Sequence, residues 1–486
     1  MRPAIAVVPI VAALLGVNAS AQFEADFLDR TLRIDLYHAG DAAAEVYTLD
    51  RVLEQGLWSG SRTHLVEPLQ HGRYLARLLD ASSGRVLFAS TFDSYFGEYR
   101  TTPAAGKGVR RTYAESLLVP CPRRTVKLTI DARAPDGALR QVFTVEIDPA
   151  GAARPPLEGN VTVVASHVVA DPHAALDLAI LGEGYTAREE GKFRHDLERF
   201  SRFLLAAEPF ASLQARINIR GVLKVSQDSG CSEPSRGVWR STALGASFDA
   251  FGSERYMLTE DNRAVRDVAA HVPYDVLVIM VNTTRYGGGG IYGLYSTFTS
   301  DNQFSPYLFV HELGHTLAGL ADEYYTSSVA YTEFYPPGVE PESPNITALL
   351  DPKQPKWREL VTPGVAVPTP WEKTAYDAMD LAYQKRRQEI NEHIATLMRG
   401  GAPAAEVDKL KAEGERLALE NAHQVDAFLA ASAAAGRVGA FEGAGYTSKN
   451  MFRPMVDCIM FSKGNGKPFC TVCRRALAQA IARYGE

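Results

Sequence analysis

From Phe23 to Pro149 apolar and polar positions alternate with a period of two. Thr31-Leu32-Arg33-Ile34-Asp35-Leu36-Tyr37 is one such run and Thr125-Val126-Lys127-Leu128-Thr129-Ile130-Asp131 another. The second leads through Ala134-Pro135-Asp136-Gly137, a turn signal, into the alternating run 140–147. That order predicts a hairpin, and several such strands predict a β-sandwich over 23–150. No residues in this region group into a catalytic set, so it reads as a scaffold or a substrate-docking module. Asp148-Pro149-Ala150-Gly151-Ala152-Ala153-Arg154-Pro155-Pro156 reads as a linker.

Beyond it the pattern changes. Leu176-Asp177-Leu178-Ala179-Ile180-Leu181 predicts a buried strand, and Thr186-Ala187-Arg188-Glu189 is a capping box for a helix running toward Ala206. A strand over 216–223, a helix near 262–271 and the almost wholly apolar run 275–281 follow. An apolar run of that kind expects covering on both faces, and the alternation of strand and helix predicts an α/β half. Between Trp371 and Ala435 the chain is rich in Ala, Glu, Lys, Arg and Leu and is broken at Gly400-Gly401-Ala402-Pro403. Two helices packed as a hairpin, inserted into that half, account for it.

At 486 residues two or three domains are expected. With 46% hydrophobic and 22% charged residues and a net charge of −6, no basic excess recruits nucleic acid or anionic lipid. Met1-Arg2, an apolar run from Ala4 to Val17 and Ala19-Ser20-Ala21 have the order of a secretory signal peptide over 1–21. The run is too short to span a bilayer, so export to a periplasmic or extracellular location without a membrane span is expected. In that setting five cysteines form at most two bridges. A staple from Cys458 to Cys470 or Cys473 is the first expectation. A second zinc site at Cys470-x-x-Cys473 is the rival, although a ribbon usually needs two such pairs.

The chemistry concentrates in 305–324. Ser305 suits an N-cap, Pro306 the first helical position and Gly319 a left-handed C-terminus, which predicts a helix over 306–318. Residues four apart share a helical face, so His311 and His315 present their imidazoles to one point. Phe309, Leu313, Thr316, Leu317 and Leu320 form the opposite, core-facing stripe. Glu312 lies beside the pair, where it suits a general base better than a third ligand. Two satisfied histidines on a structural helix would share the five-residue pattern, but not the caps, the apolar back face or a third ligand. Metzincin peptidases place that ligand six residues after the second histidine, with glycine three residues before it. Ala318 and Ala321 fail that spacing, whereas a shift by one restores it with Gly319 and Asp322. Asp322 is therefore the expected third ligand, with Glu323 as the alternative. Gly287-Gly288-Gly289-Gly290, flanked by tyrosines, fits either a flexible loop or a rim where another backbone comes close. On the second reading Gly289, Gly290, Ile291 and Tyr292 bind an extended peptide.

His311-Glu312-Leu313-Gly314-His315-x-x-x-Gly319-Leu320-x-Asp322-Glu323-Tyr324 and the run Phe441-Glu442-Gly443-Ala444-Gly445-Tyr446 carry a resemblance. So do Phe452-Arg453-Pro454, Asp457-Cys458-Ile459-Met460 and Phe469-Cys470-x-x-Cys473. With these motifs the chain resembles the bacterial IgA-peptidase family of metzincin-like zinc metallopeptidases over about 160–486, and its N-terminal region is similar to that family's N-terminal domain. The resemblance implies a secreted endopeptidase with one catalytic Zn²⁺ and a polypeptide or glycoprotein substrate. It also gives Met460 the role of an apolar floor beneath the ligands. The expected architecture is then a multidomain α+β and α/β chain: a β-sandwich over 23–150, and a metzincin-like zinc-peptidase domain over 160–486 with a helical insertion at 371–435. Tyr446 is the candidate donor to the oxyanion, with Tyr324 second. No feature of the chain reads an immunoglobulin hinge. Two other readings stay open: an exported, non-catalytic adhesin or glycan-binding protein with a structural metal, and an enzyme acting on non-peptide amides or small exopeptidase substrates.

Overall fold

Alternation sends Leu32, Ile34 and Leu36 into one core together with Val119, Leu78, Leu128 and Ile130, all buried in the computed structural model. The structure describes residues 19–69, 71–326 and 334–485. The expected leader, 1–21, lies outside them except for 19–21, which open a short helix, α1 (Ala19–Asp26). Strands β1 (Phe27–Gly40), β2 (Glu45–Glu54), β3 (Tyr74–Asp80) and β4 (Val86–Phe92) are followed by two helical turns, α2 (Tyr95–Tyr99) and α3 (Pro103–Gly106). Then come β5 (Arg111–Pro122), β6 (Val126–Arg133) and β7 (Leu139–Ile147). They form two antiparallel sheets, ordered β2-β1-β5 and β4-β3-β6-β7, that share the core just named.

The larger part that follows is a mixed α/β assembly. Its strands are β8 (Val161–His167), β9 (Leu176–Glu183), β10 (Ile217–Lys224), β11 (Val276–Val281), β12 (Gly288–Ile291) and β13 (Tyr295–Thr299), in the order β12-β13-β11-β9-β10-β8. The four inner strands are parallel, and β8 and β12 run antiparallel along the two edges. Both faces are covered, as the unbroken apolar run of β11 requires. Leu178, Ile180, Val278 and Met280 face a core built with α4 (Glu190–Ala206), α6 (Ser305–Ala318) and α9 (Thr471–Tyr484). Ala179, Leu181, Leu277 and Ile279 face the other, which contains α5 (Asn262–Ala269). Two 27-residue helices, α7 (Lys373–Arg399) and α8 (Ala404–Ala430), pair as a hairpin through Ile390, Ile394 and Val407. A small ribbon, β14 (Phe441–Ala444) and β15 (Thr447–Arg453), precedes α9. No helix among the described residues is long and apolar enough to cross a membrane.

The N-terminal sheets dock tightly on this larger part. Ser59 donates to the Tyr274 carbonyl at 2.6 Å, Tyr292 donates to Glu67 at 2.8 Å, and Arg483 pairs with that same buried carboxylate at 2.9 Å. The region read as lacking site residues thereby becomes one wall of the cleft described next.

Candidate metal centre

Helix α6 begins one residue earlier than its sequence signals suggest. Ser305 lies inside the first turn, and its hydroxyl accepts from the Asn302 N–H at 2.9 Å, so Asn302 and Ser305 tie the entry loop down without a side-chain N-cap. At the other end Gly319 adopts φ 60° and closes the helix through its N–H to the His315 carbonyl at 3.0 Å. The left-handed turn reverses the chain, which brings Leu320 and Asp322 back against the last helical turn.

Three donor atoms meet there. His311 Nε2 and His315 Nε2 are 3.2 Å apart, and Asp322 Oδ1 lies 3.0 Å from the first and 3.3 Å from the second. The outer ring nitrogens are already engaged: His311 Nδ1 donates to the Ile459 carbonyl at 3.0 Å and His315 Nδ1 to the Leu320 carbonyl at 2.5 Å. Those bonds place the proton of each neutral imidazole on Nδ1 and leave a lone pair on Nε2. Two lone pairs and a carboxylate oxygen, buried and without a hydrogen-bond donor on Asp322 Oδ1, then point at one another. A cation among them satisfies all three, and in its absence a proton on His315 Nε2 shared with Asp322 does so. A tetrahedral ion with bonds of about 2.0–2.2 Å would set its ligand atoms about 3.4 Å apart, close to the triangle seen.

Electrostatics tell the same story. Burial drives the His315 pKa down, but Asp322 and then Glu312 outweigh it and carry it to about 9, so without a metal this imidazole holds a proton. Burial alone would raise the Asp322 carboxyl, and the two histidines instead hold it well below the usual range. Glu312 moves up because burial outweighs the pull of the histidines. Its Oε2 stays 4.0 Å from His315 Nε2, beside the ligand triangle and open to the cleft.

The cleft, about 530 Å³, runs between α6, β12 and the N-terminal sheets, with Arg73, Asp93 and Arg133 on the far wall. Gly289, Gly290, Ile291 and Tyr292 line it. The glycines form an ordered strand, and two of them, Gly288 and Gly290, admit a close approach of α6. A Cβ on Gly290 would stand 2.6 Å from the Glu312 carbonyl oxygen, and one on Gly288 3.0 Å from Glu312 Oε1. The edge of β12 is covered at Gly288, which pairs with Arg255 and Met257.

Tyr446 donates its hydroxyl to Asp322 Oδ2 and holds a left-handed backbone at φ 63°. Tyr324 meets its ring edge-on at 5.7 Å and accepts from Arg255 Nη2 at 3.0 Å. Met460 is fully buried beneath α6, where a Cβ on Gly314 would come within 3.2 Å of its sulfur. Sequence reasoning missed three groups here. Asn345 clamps the ligand loop through Ala321 and Glu323 at 2.8–3.0 Å, Tyr307 reaches His311 Nδ1 at 3.4 Å, and Arg255 brings a cation over the cleft. Asn345 and Arg255 lie in segments with no local motif, so only three-dimensional proximity reveals them, whereas Tyr307 stands one helical turn before His311 and helical spacing could have found it.

The expected staple is not formed. All five cysteines are free, and the Cys458 and Cys473 sulfurs are 3.8 Å apart, against about 2.05 Å in a disulfide. Both thiols instead turn, with Cys470, toward Glu323.

Among families of known proteins, residues 164–481 match the one described as IgA Peptidase M64, and residues 22–144 match Peptidase M64 N-terminus. No curated protein matches the chain.

Proposed function

The chain belongs to the IgA peptidase M64 family and is a metallopeptidase, and on that premise we propose that it is an exported zinc endopeptidase acting on extended polypeptide through Glu312. His311, His315 and Asp322 would hold the ion, and the observation that carries this is the convergence of two Nε2 lone pairs and an unbonded carboxylate oxygen. A zinc ion there supplies Lewis acidity toward the scissile carbonyl and acidifies water.

The remaining steps belong to the side chains. Glu312, with a carboxyl of raised basicity, takes the proton of the attacking water and delivers it to the departing amine. Tyr446 orients Asp322 in the resting enzyme, and its hydroxyl lies near enough to turn toward the developing oxyanion, with Arg255 adding positive charge from the same side. Met460 keeps water out from beneath the histidines. An extended substrate would lie along Gly289, Gly290, Ile291 and Tyr292 against the N-terminal wall. This layout is metzincin-like, with an N-terminal domain over 23–150, a peptidase domain over 160–486 and the hairpin at 371–435 as an insertion. Export rests on the leader pattern of residues 1–21.

The test is incubation of the purified full-length protein with denatured polypeptides, followed by fragment sequencing. Internal cuts that vanish on chelation and return with zinc are expected. Zinc-loaded protein that releases only terminal residues, or cuts nothing, would overturn the reading.

A further inference from the structure

A second constellation lies behind the first. Cys458 sits in the turn that carries Met460, Cys470 caps α9, Cys473 occupies the first turn of that helix, and Glu323 follows Asp322 directly. All four side chains are buried. Their ligand atoms lie within 4.8 Å of one another, with Cys458 Sγ to Cys473 Sγ at 3.8 Å and Cys473 Sγ to Glu323 Oε1 at 3.3 Å. A tetrahedral zinc with Zn–S bonds of about 2.3 Å sets sulfurs about 3.8 Å apart and a carboxylate oxygen about 3.5 Å from each. These two edges agree with that figure, and the sulfur pair misses a disulfide by a wide margin.

Backbone N–H groups are aimed at two of the sulfurs. Cys458 Sγ accepts from the N–H groups of Cys470 at 3.2 Å and Met460 at 3.5 Å, and Cys470 Sγ accepts from the Cys473 N–H at 3.4 Å at the start of a 14-residue helix. Glu323 is oriented by Asn345 at 3.0 Å, while its other oxygen is buried without a hydrogen bond. These four donors can lose their protons together in an apolar interior only around a cation.

We propose that Cys458, Cys470, Cys473 and Glu323 form a second, closed zinc site with a structural role. Four protein donors leave no position for water, so the site does no hydrolysis. Its effect reaches the cleft through three short links. Glu323 adjoins Asp322, Cys458 lies two residues before Met460, and the intervening Ile459 carbonyl fixes the His311 ring. Filling the second site would tether the third-ligand loop and the floor of the centre to α9.

The experiment is metal analysis and zinc-edge X-ray absorption on the full-length chain and on a His311→Ala, His315→Ala variant, which lacks the first centre whatever its function. Two zinc equivalents in the parent, one in the variant, and sulfur scattering at about 2.3 Å in the variant are expected. A Cys473→Ser variant should lose one equivalent; because it can also fail to fold, the histidine variant carries the decision. One equivalent in the parent and none in a folded variant would overturn the proposal. So would a disulfide between any two of these cysteines, or zinc-loaded protein in which Cys458, Cys470 and Cys473 are all alkylated as fast as in the chelated chain.

Discussion

A single methyl group on β12 should disturb the catalytic helix. In Gly290→Ala the added carbon would lie 2.6 Å from the Glu312 carbonyl oxygen, 2.9 Å from the His315 Cβ and 3.2 Å from the Thr316 hydroxyl. Carbon–oxygen contacts settle at about 3.3 Å, so α6 must retreat by roughly 0.7 Å just where Glu312 and His315 project. Gly290 is not in a left-handed conformation, so the backbone tolerates alanine and the penalty is steric. Overpacking of this kind costs about 1–3 kcal/mol, which in a domain of this size would lower Tm by roughly 1–5 °C. A displacement approaching 1 Å at reacting groups costs up to about a hundredfold, so kcat/KM should fall roughly 10- to 100-fold. The assay is steady-state cleavage of a denatured substrate beside a thermal melt. Gly414→Ala on α8 is the control, since its Cβ would meet only the Ile390 methyl at an ordinary 3.4 Å; it should hold its rate and gain about 0.5–1 kcal/mol. Native activity and Tm in Gly290→Ala would refute the idea that the glycines exist to seat the helix.

Asp322→Ala should release the ion held by His311 and His315 and abolish cleavage, whereas Glu323→Ala should keep that ion; metal content read against activity at saturating zinc decides, and the reverse result would move the ligand by one residue. In metal-free protein the His315 pKa is raised to about 9, so its contribution to stability is complete below the ordinary value of 6.5 and is lost as pH rises through 9. Denaturant melts of chelated protein from pH 6 to 10 should show that loss. Zinc affinity should climb about tenfold per pH unit over the same window as the ion displaces one proton, and a flat profile would contradict the geometry at His315.

The parts legible in the sequence are those whose cause is local. Histidines four apart on a capped helix declare a shared face, and Gly319 announces the turn that returns Asp322, so these positions follow from spacing alone. The buried runs of β9 and β11, the capping box before α4 and the helix pair α7 and α8 also carry their own periodicity. By contrast β12 contains three glycines and one isoleucine, with no side-chain alternation to read, and its strand character comes from pairing with β13. The cysteine cluster was legible as three crowded thiols with a staple and a zinc site as rivals, and its carboxylate member was not legible at all. Cys473 meets Glu323 across 150 residues of chain, and nothing local distinguishes a thiol awaiting a sulfur from one awaiting an ion. Asn345 and Arg255 share that fate, because each acts through a partner far along the chain in a segment without a motif.

The central claim is that Glu312 moves the proton while its neighbours hold the metal. Glu312→Gln keeps the shape of the side chain and removes its basicity, so zinc content and cleavage rate measured on one preparation separate the two roles. Full retention of zinc with a loss of at least about a hundredfold in kcat is predicted. Zinc-replete variant that cleaves at the parent rate would contradict it.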